Sequence, residues 1–75
     1  DNPDTLYEKK MIQQLIQKGL LKLKDDQREL LVLRDLQGFS YEEMRELLGL
    51  PEGTIKSKLH RARMDLKAVL ESFTH

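Results

Sequence analysis

The residues of this chain that could do chemistry lie mostly in one stretch, GLPEGTIKSKLHRAR, residues 49 to 63. Lys56, Lys58, Arg61, Arg63 and, just beyond, Lys67 are cations, with Thr54, Ser57 and His60 among them. Cations set on one helix face grip phosphates by charge, and arginine or lysine at the start of such a helix also donates to base edges. The competing reading is one solvated face of an ordinary helix, which needs no ligand. Other chemistry is not expected. His60 and His75 have no carboxylate or cysteine cluster at metal-ligand spacing, and no recognisable motif places a base near Ser57, so its hydroxyl is read as a hydrogen-bonding group. No cofactor is implied. Tyr7, Phe39, Tyr41 and Phe73 are read as core or staple residues rather than as base-stacking platforms.

Seventy-five residues are expected to form a single domain (1–75), near the size at which one core only just offsets chain entropy. A roofed small-molecule pocket does not fit easily in so short a chain, so an enzyme is not expected. The absence of cysteine excludes disulfides and thiolate sites and fits a reducing, cytoplasmic setting. No apolar run is long enough to span a bilayer, and DNPDTLYEKK lacks the features of a signal peptide. The formal net charge of zero hides an asymmetry. Residues 1–50 carry 8 Lys/Arg against 10 Asp/Glu, and residues 51–75 carry 5 against 3, giving −2 and +2. A local basic footprint is therefore compatible with a neutral total.

Four helices are needed to position that footprint. After a frayed DNPD start, Tyr7, Met11, Ile12, Leu15, Ile16 and Leu20 recur at helical spacing and predict a helix from Thr5 to about Leu23. Asp26 and Glu29 have the form of a capping box, so a second helix is expected to open there, hold LLVLRDL and stop at Gly38. Its apolar residues at 30, 31, 32, 33 and 36 exceed one stripe, as in a centrally buried helix. Ser40 and Glu43 form another capping box, with Phe39 and Met44 as a hydrophobic staple. The third helix thus starts at Tyr41 and is expected to bury Met44, Leu47 and Leu48. Gly49, Leu50 and Pro51 make a short turn. The fourth helix runs to about Ser72, with Ile55, Leu59, Ala62, Leu66, Val69 or Leu70, and Phe73 on one stripe.

The fold class is therefore all-α, a four-helix domain containing a helix-turn-helix. Met44, Leu48, Leu50, Ile55 and Leu59 can form the wedge between its two helices, while Leu47 faces the others. Lys56, Ser57, Lys58, His60 and Arg61 then occupy the first turns of a helix built to enter a major groove. The acidic residues of this half, Glu52, Asp65 and Glu71, are expected for the most part to avoid the patch.

The run LQGFSYEEMRELLGLPEGTIKSKLHRARMDLKAVL resembles DNA-binding region 4 of bacterial sigma factors, most closely the extracytoplasmic-function group. The resemblance covers about residues 15 to 71. It implies recognition of the promoter −35 element, with Lys56, Ser57, His60 and Arg61 where the family contacts bases and phosphates, Thr54 nearby, and Lys58 and Arg63 supporting from the flanks. Arg45 stands where the family usually has a small alanine between two helices, and Lys24 replaces a common proline. The resemblance further implies a fragment of a larger factor whose other domain reads the −10 element. Its partners would be promoter DNA and core RNA polymerase, through the β-subunit flap cupped by the first two helices, with an anti-sigma factor as a candidate for the same surfaces.

Two alternatives stay open on the residues alone. The output domain of a response regulator or quorum-type activator also has four helices and a GTVK turn, but reads paired half-sites as a dimer. A helical protein-interaction module would use the basic helix on an acidic protein; low aromatic content speaks against a membrane surface.

Overall fold

A computed structural model describes residues 3–73, with side chains described from residue 6 onward. Four α-helices follow one another: α1 (Pro3–Leu21), α2 (Asp25–Leu31), α3 (Tyr41–Leu48) and α4 (Glu52–Ser72). A π-helical segment, Val32–Leu36, continues α2. No strand occurs among the described residues, so the all-α, four-helix expectation holds.

α4 is the hub. α1, α2 and α3 all pack on it, because its apolar stripe buries Ile55, Leu59 and Ala62 completely and half-buries Leu66, Val69 and Leu70. Leu20, Leu23, Leu30, Leu31, Leu33 and Met44 complete one core cluster. A 21-residue helix spans about 30 Å, enough to reach from the α3 turn to the C-terminal end of α1. Where α1 crosses it, Gly19 is buried against Leu66 and Leu70: a Cβ built there would lie 2.9 Å from Leu66 Cδ1 and 3.0 Å from Leu70 Cδ2. The absent side chain leaves room for the ends of those two leucines.

The helix ends are formed by different means. Ser40 Oγ accepts from the Glu43 N–H at 3.0 Å and Glu43 Oε1 accepts from the Ser40 N–H at 2.9 Å, so the capping box predicted there exists and fixes the start of α3. Phe39, beside it, packs against the core. Gly49 closes α3 at φ 69° and donates its N–H to the Arg45 carbonyl at 2.8 Å, a left-handed conformation that suits glycine. Gly38, at φ 75°, performs the same service after the π-helical segment. Pro51, at φ −63°, stands immediately before α4.

Several expectations are corrected. The Asp26–Glu29 capping box does not form; the cap falls two residues earlier, at Lys24, with no side-chain cap bond, and Asp26 Oδ1 accepts from the adjacent Gln27 N–H at 2.9 Å. α1 already includes Pro3 and Asp4 and stops at Leu21; proline at a first helical turn is favourable because its missing N–H had no partner to lose. Leu47 is 58% exposed rather than facing the other helices, since α3 is covered on its Met44 face alone. Tyr7, Met11 and Ile12, at 66%, 46% and 56%, are not core residues: α1 is exposed all along residues 6–14, short of the body it would need for burial. Arg45 is exposed and does not lie between two helices. His75 lies outside the described residues.

Candidate nucleic-acid interface

The helix-turn-helix is built by α3, the Gly49–Pro51 turn and the first half of α4. Met44, Ile55 and Leu59, all at 0% exposure, with Leu48 and Leu50 packed against them, form the predicted wedge. Turning these residues inward turns Lys56, Ser57, Lys58, His60, Arg61 and Arg63 outward, and all six are exposed, with Thr54 half-buried. The patch is thus a consequence of the same 3.6-residue period that makes the core stripe.

The patch is not a bare cluster of charge. Lys56 Nζ lies 3.2 Å from Glu52 Oε2, Lys58 Nζ 3.9 Å from Asp26 Oδ2, Arg61 Nε 3.3 Å from Asp65 Oδ1, and Arg63 Nη2 2.6 Å from Asp35 Oδ1. The expectation that Glu52 and Asp65 avoid the cations is therefore wrong. Both sit four residues from a cation on the same helix, where side chains meet, and that spacing is legible in the sequence. The pairs with Asp26 and Asp35 join α4 to α2 and to the π-helical segment and could not be read from sequence.

The cations divide by neighbour. Lys58 and Arg61 border α2, in a small cleft of about 150 Å³ that Lys24, Asp26, Gln27 and Leu30 also line. Lys56 and Arg63 border α3 and the π-helical segment. Arg63 is the most firmly tied: its Nε and Nη2 donate to the two Asp35 oxygens at 2.9 and 2.6 Å, a bidentate pairing. That contact holds the Asp35 carboxyl below its ordinary range and the guanidinium above its own. Lys56 lies 5.1 Å from the Tyr41 ring centroid and Arg34 lies 4.4 Å from it, cation–π contacts that sequence reading missed. Arg34 also donates to the Phe39 carbonyl at 2.7 Å. Tyr41 is thus a partly exposed platform for two cations rather than a plain core residue.

Ser57 Oγ donates to the Thr54 carbonyl at 3.0 Å, leaving its lone pairs outward. On the α2 side, Gln27 Nε2 donates to Asp65 Oδ2 at 2.7 Å; this bond, then Arg61, keeps the Asp65 carboxyl below its ordinary range. No cluster of three or more metal-ligating side chains occurs among the described residues. No helix among them is long and apolar enough to cross a membrane.

A second surface lies between α1 and the π-helical segment. Lys10, Gln13, Gln14, Ile16, Gln17 and Lys18 of α1 and Leu36 of the π-helical segment line a groove of about 740 Å³. Leu36 is 53% exposed, because the wider π turn carries it out of the buried face of α2.

Residues 13–66 match the model of the family described as sigma-70, region 4. The chain is 39% identical over 67 residues to the RNA polymerase sigma factor YlaC of Bacillus subtilis, covering 89% of this chain and 39% of that protein. It is 51% identical over 52 residues to the ECF RNA polymerase sigma factor EcfG of Rhodopseudomonas palustris, covering 69% and 29%. With the ECF RNA polymerase sigma factor SigE of Mycolicibacterium smegmatis, identity is 36% over 69 residues, covering 92% and 27%. The chain thus spans well under half the length of these curated relatives.

Proposed function

Because the chain belongs to the sigma-70 region 4 family, we propose that it recognises the promoter −35 element with α4 in the major groove and docks on core RNA polymerase, as part of a larger extracytoplasmic-function sigma factor in the bacterial cytoplasm. The observation that carries this reading is the orientation of α4: the wedge of Met44, Ile55 and Leu59 is fully buried while Lys56, Ser57, His60 and Arg61 stand outward on its first turns. Side chains there reach base edges and phosphates when such a helix enters a groove. Thr54 sits beside them, and Lys58 and Arg63 flank them. Residues 1–75 act as one region 4 domain in this reading.

The polymerase contact is proposed for the groove between α1 and Leu36, where Ile16 and Leu36 stand among lysines and glutamines of α1. A helix of the β-subunit flap is its proposed occupant, and an anti-sigma factor its competitor. Substituting Leu36→Glu is expected to abolish binding to the isolated flap without changing DNA binding.

The DNA reading is tested by selecting random duplexes with the chain and then comparing Arg61→Ala with Lys67→Ala on the selected and a scrambled duplex. Arg61→Ala is expected to weaken the selected duplex by about 1–3 kcal/mol and relax preference at one or two base pairs. Lys67→Ala, further along α4, is expected to weaken both duplexes alike and to reduce the log–log salt slope by about one. Equal loss on both duplexes for Arg61→Ala would reduce the patch to an electrostatic handle.

A further inference from the structure

Arg61 is the most exposed cation with a partner given above, its side chain 76% accessible, yet its guanidinium is tethered at one nitrogen. Arg61 Nε donates to Asp65 Oδ1 at 3.3 Å, and the other oxygen of the same carboxylate accepts from Gln27 Nε2 at 2.7 Å. The amide comes from α2 and the two charged groups from α4, so the three side chains form a relay across the helix interface. An i,i+4 ion pair by itself leaves both side chains free to wander. Here the amide bond restrains the carboxylate, which is only 38% exposed, and the carboxylate in turn restrains the guanidinium. With Nε occupied, the fork left to Arg61 is its Nη1–Nη2 edge, a pair of parallel donors that matches O6 and N7 of guanine.

We propose that Asp65, braced by Gln27, is a positioning residue that aims the Arg61 fork at a guanine, so that discrimination at one base pair depends on a carboxylate that does not itself touch DNA. The inference rests on the major-groove reading of α4 proposed above. Asp65 stays ionised through the neutral range, since both of its hydrogen bonds favour the charged form. Its negative charge also opposes nearby phosphates, so its removal affects the two kinds of DNA in opposite directions. Preferred DNA loses an aimed arginine, and non-specific DNA loses a repulsion.

The test uses the 75-residue chain and duplexes that differ from the selected one at single base pairs. Asp65→Asn, isosteric and at a partly exposed site, is expected to keep the helical circular dichroism. It should lower discrimination at the guanine read by Arg61 by about three- to tenfold, while binding to scrambled duplex is unchanged or rises. Gln27→Leu, which removes the brace and leaves the ion pair, should shift the same base pair by a smaller factor. In an Arg61→Ala background, Asp65→Asn should no longer change discrimination. Equal weakening of selected and scrambled duplex by Asp65→Asn, or a change in discrimination that persists without Arg61, would overturn the positioning role alone. Failure of the wild-type chain to select any motif would overturn the DNA reading and this inference with it.

Discussion

The α3–α4 unit and the other two helices, α1 and α2, which each pack on α4, are specified in different ways. α3 has a complete capping box, a left-handed glycine at its end and a fully buried wedge. α2 has no side-chain cap and passes into a π-helical segment, and α1 leaves Leu6, Tyr7, Met11 and Ile12 in solvent. The unit proposed to present the recognition helix is thus held by local rules, each a few residues long. The other half depends on what it packs against, as suits a surface proposed to take a polymerase helix.

The largest expected effect breaks the comparison at its centre. Leu59→Ala, at 0% exposure, is expected to destabilise the fold by about 2–5 kcal/mol, whereas Met11→Ser, at 46% exposure, should stay within about 0.5 kcal/mol; urea denaturation of both variants checks the contrast. Similar losses would mean that the Met11 side chain, too, is held by the core.

Two glycines sharpen it next. Gly49→Val puts a β-branched residue at φ 69° with open space around its Cβ, so backbone strain alone should cost about 1–3 kcal/mol and lower DNA binding with it. Gly19→Val has an ordinary helical backbone, and its added methyls enter the Leu66–Leu70 contact, for a loss of about 1–3 kcal/mol by overpacking. Gly19→Ala should be near neutral, because the gain in helix propensity offsets a small shift of the leucine ends. Thermal melts separate the cases, since Gly49→Ala remains strained where Gly19→Ala does not.

The caps supply a smaller effect of opposite sign in the two halves. Ser40→Ala should cost about 1 kcal/mol, and Lys24→Ser should add about 0.5–1 kcal/mol by supplying the acceptor that α2 lacks. Lys24 has the extended backbone of a cap residue, φ −64° and ψ 153°, so the new hydroxyl needs no rearrangement. A Lys24→Ser variant no more stable than wild type would show that the α2 start is already satisfied by other means.

A further expectation concerns pH. The carboxyls of Asp35, Glu43 and Asp65 all titrate below their ordinary range in the folded chain, through Arg63, the Ser40 backbone and Gln27 respectively. The unfolded chain therefore binds more protons in that range, so this stability is present above about pH 4 and is lost as pH falls through the folded values. Asp35→Asn should flatten that acid loss slightly, as a partly exposed pair contributes little. Smallest of all, Arg45→Ala should leave stability within about 0.5 kcal/mol, since Arg45 is exposed. A clear loss of DNA binding with the fold intact would make Arg45 a phosphate contact.

Legibility followed the same division. Ser40, Glu43, Gly38, Gly49 and the Ile55–Leu59–Ala62 stripe were readable because caps, positive-φ glycines and helical periods act over one to seven residues. The capping box at Asp26 and Glu29 was readable too and did not form, because a pattern satisfied in sequence still requires the helix to begin at that residue. Among the site residues, the outward position of Lys56, Ser57, Lys58, His60, Arg61 and Arg63 follows from the buried stripe. Their carboxylate partners on α2 and the π-helical segment do not.

The number of helices, the turn that joins α3 to α4 and the face of α4 that carries the cations follow from the residue order alone, because all of them rest on short-range geometry. It took the packing of the helices to show that Asp35 clamps Arg63, that Gln27 reaches across 38 positions to Asp65, that Gly19 is where α1 meets α4, and that Leu6, Tyr7, Met11 and Ile12 stay exposed. Those outcomes depend on which helices are neighbours and at what distance, and helix period and composition leave that open, since the same amphipathic faces can pair in several ways until their side-chain volumes are fitted together.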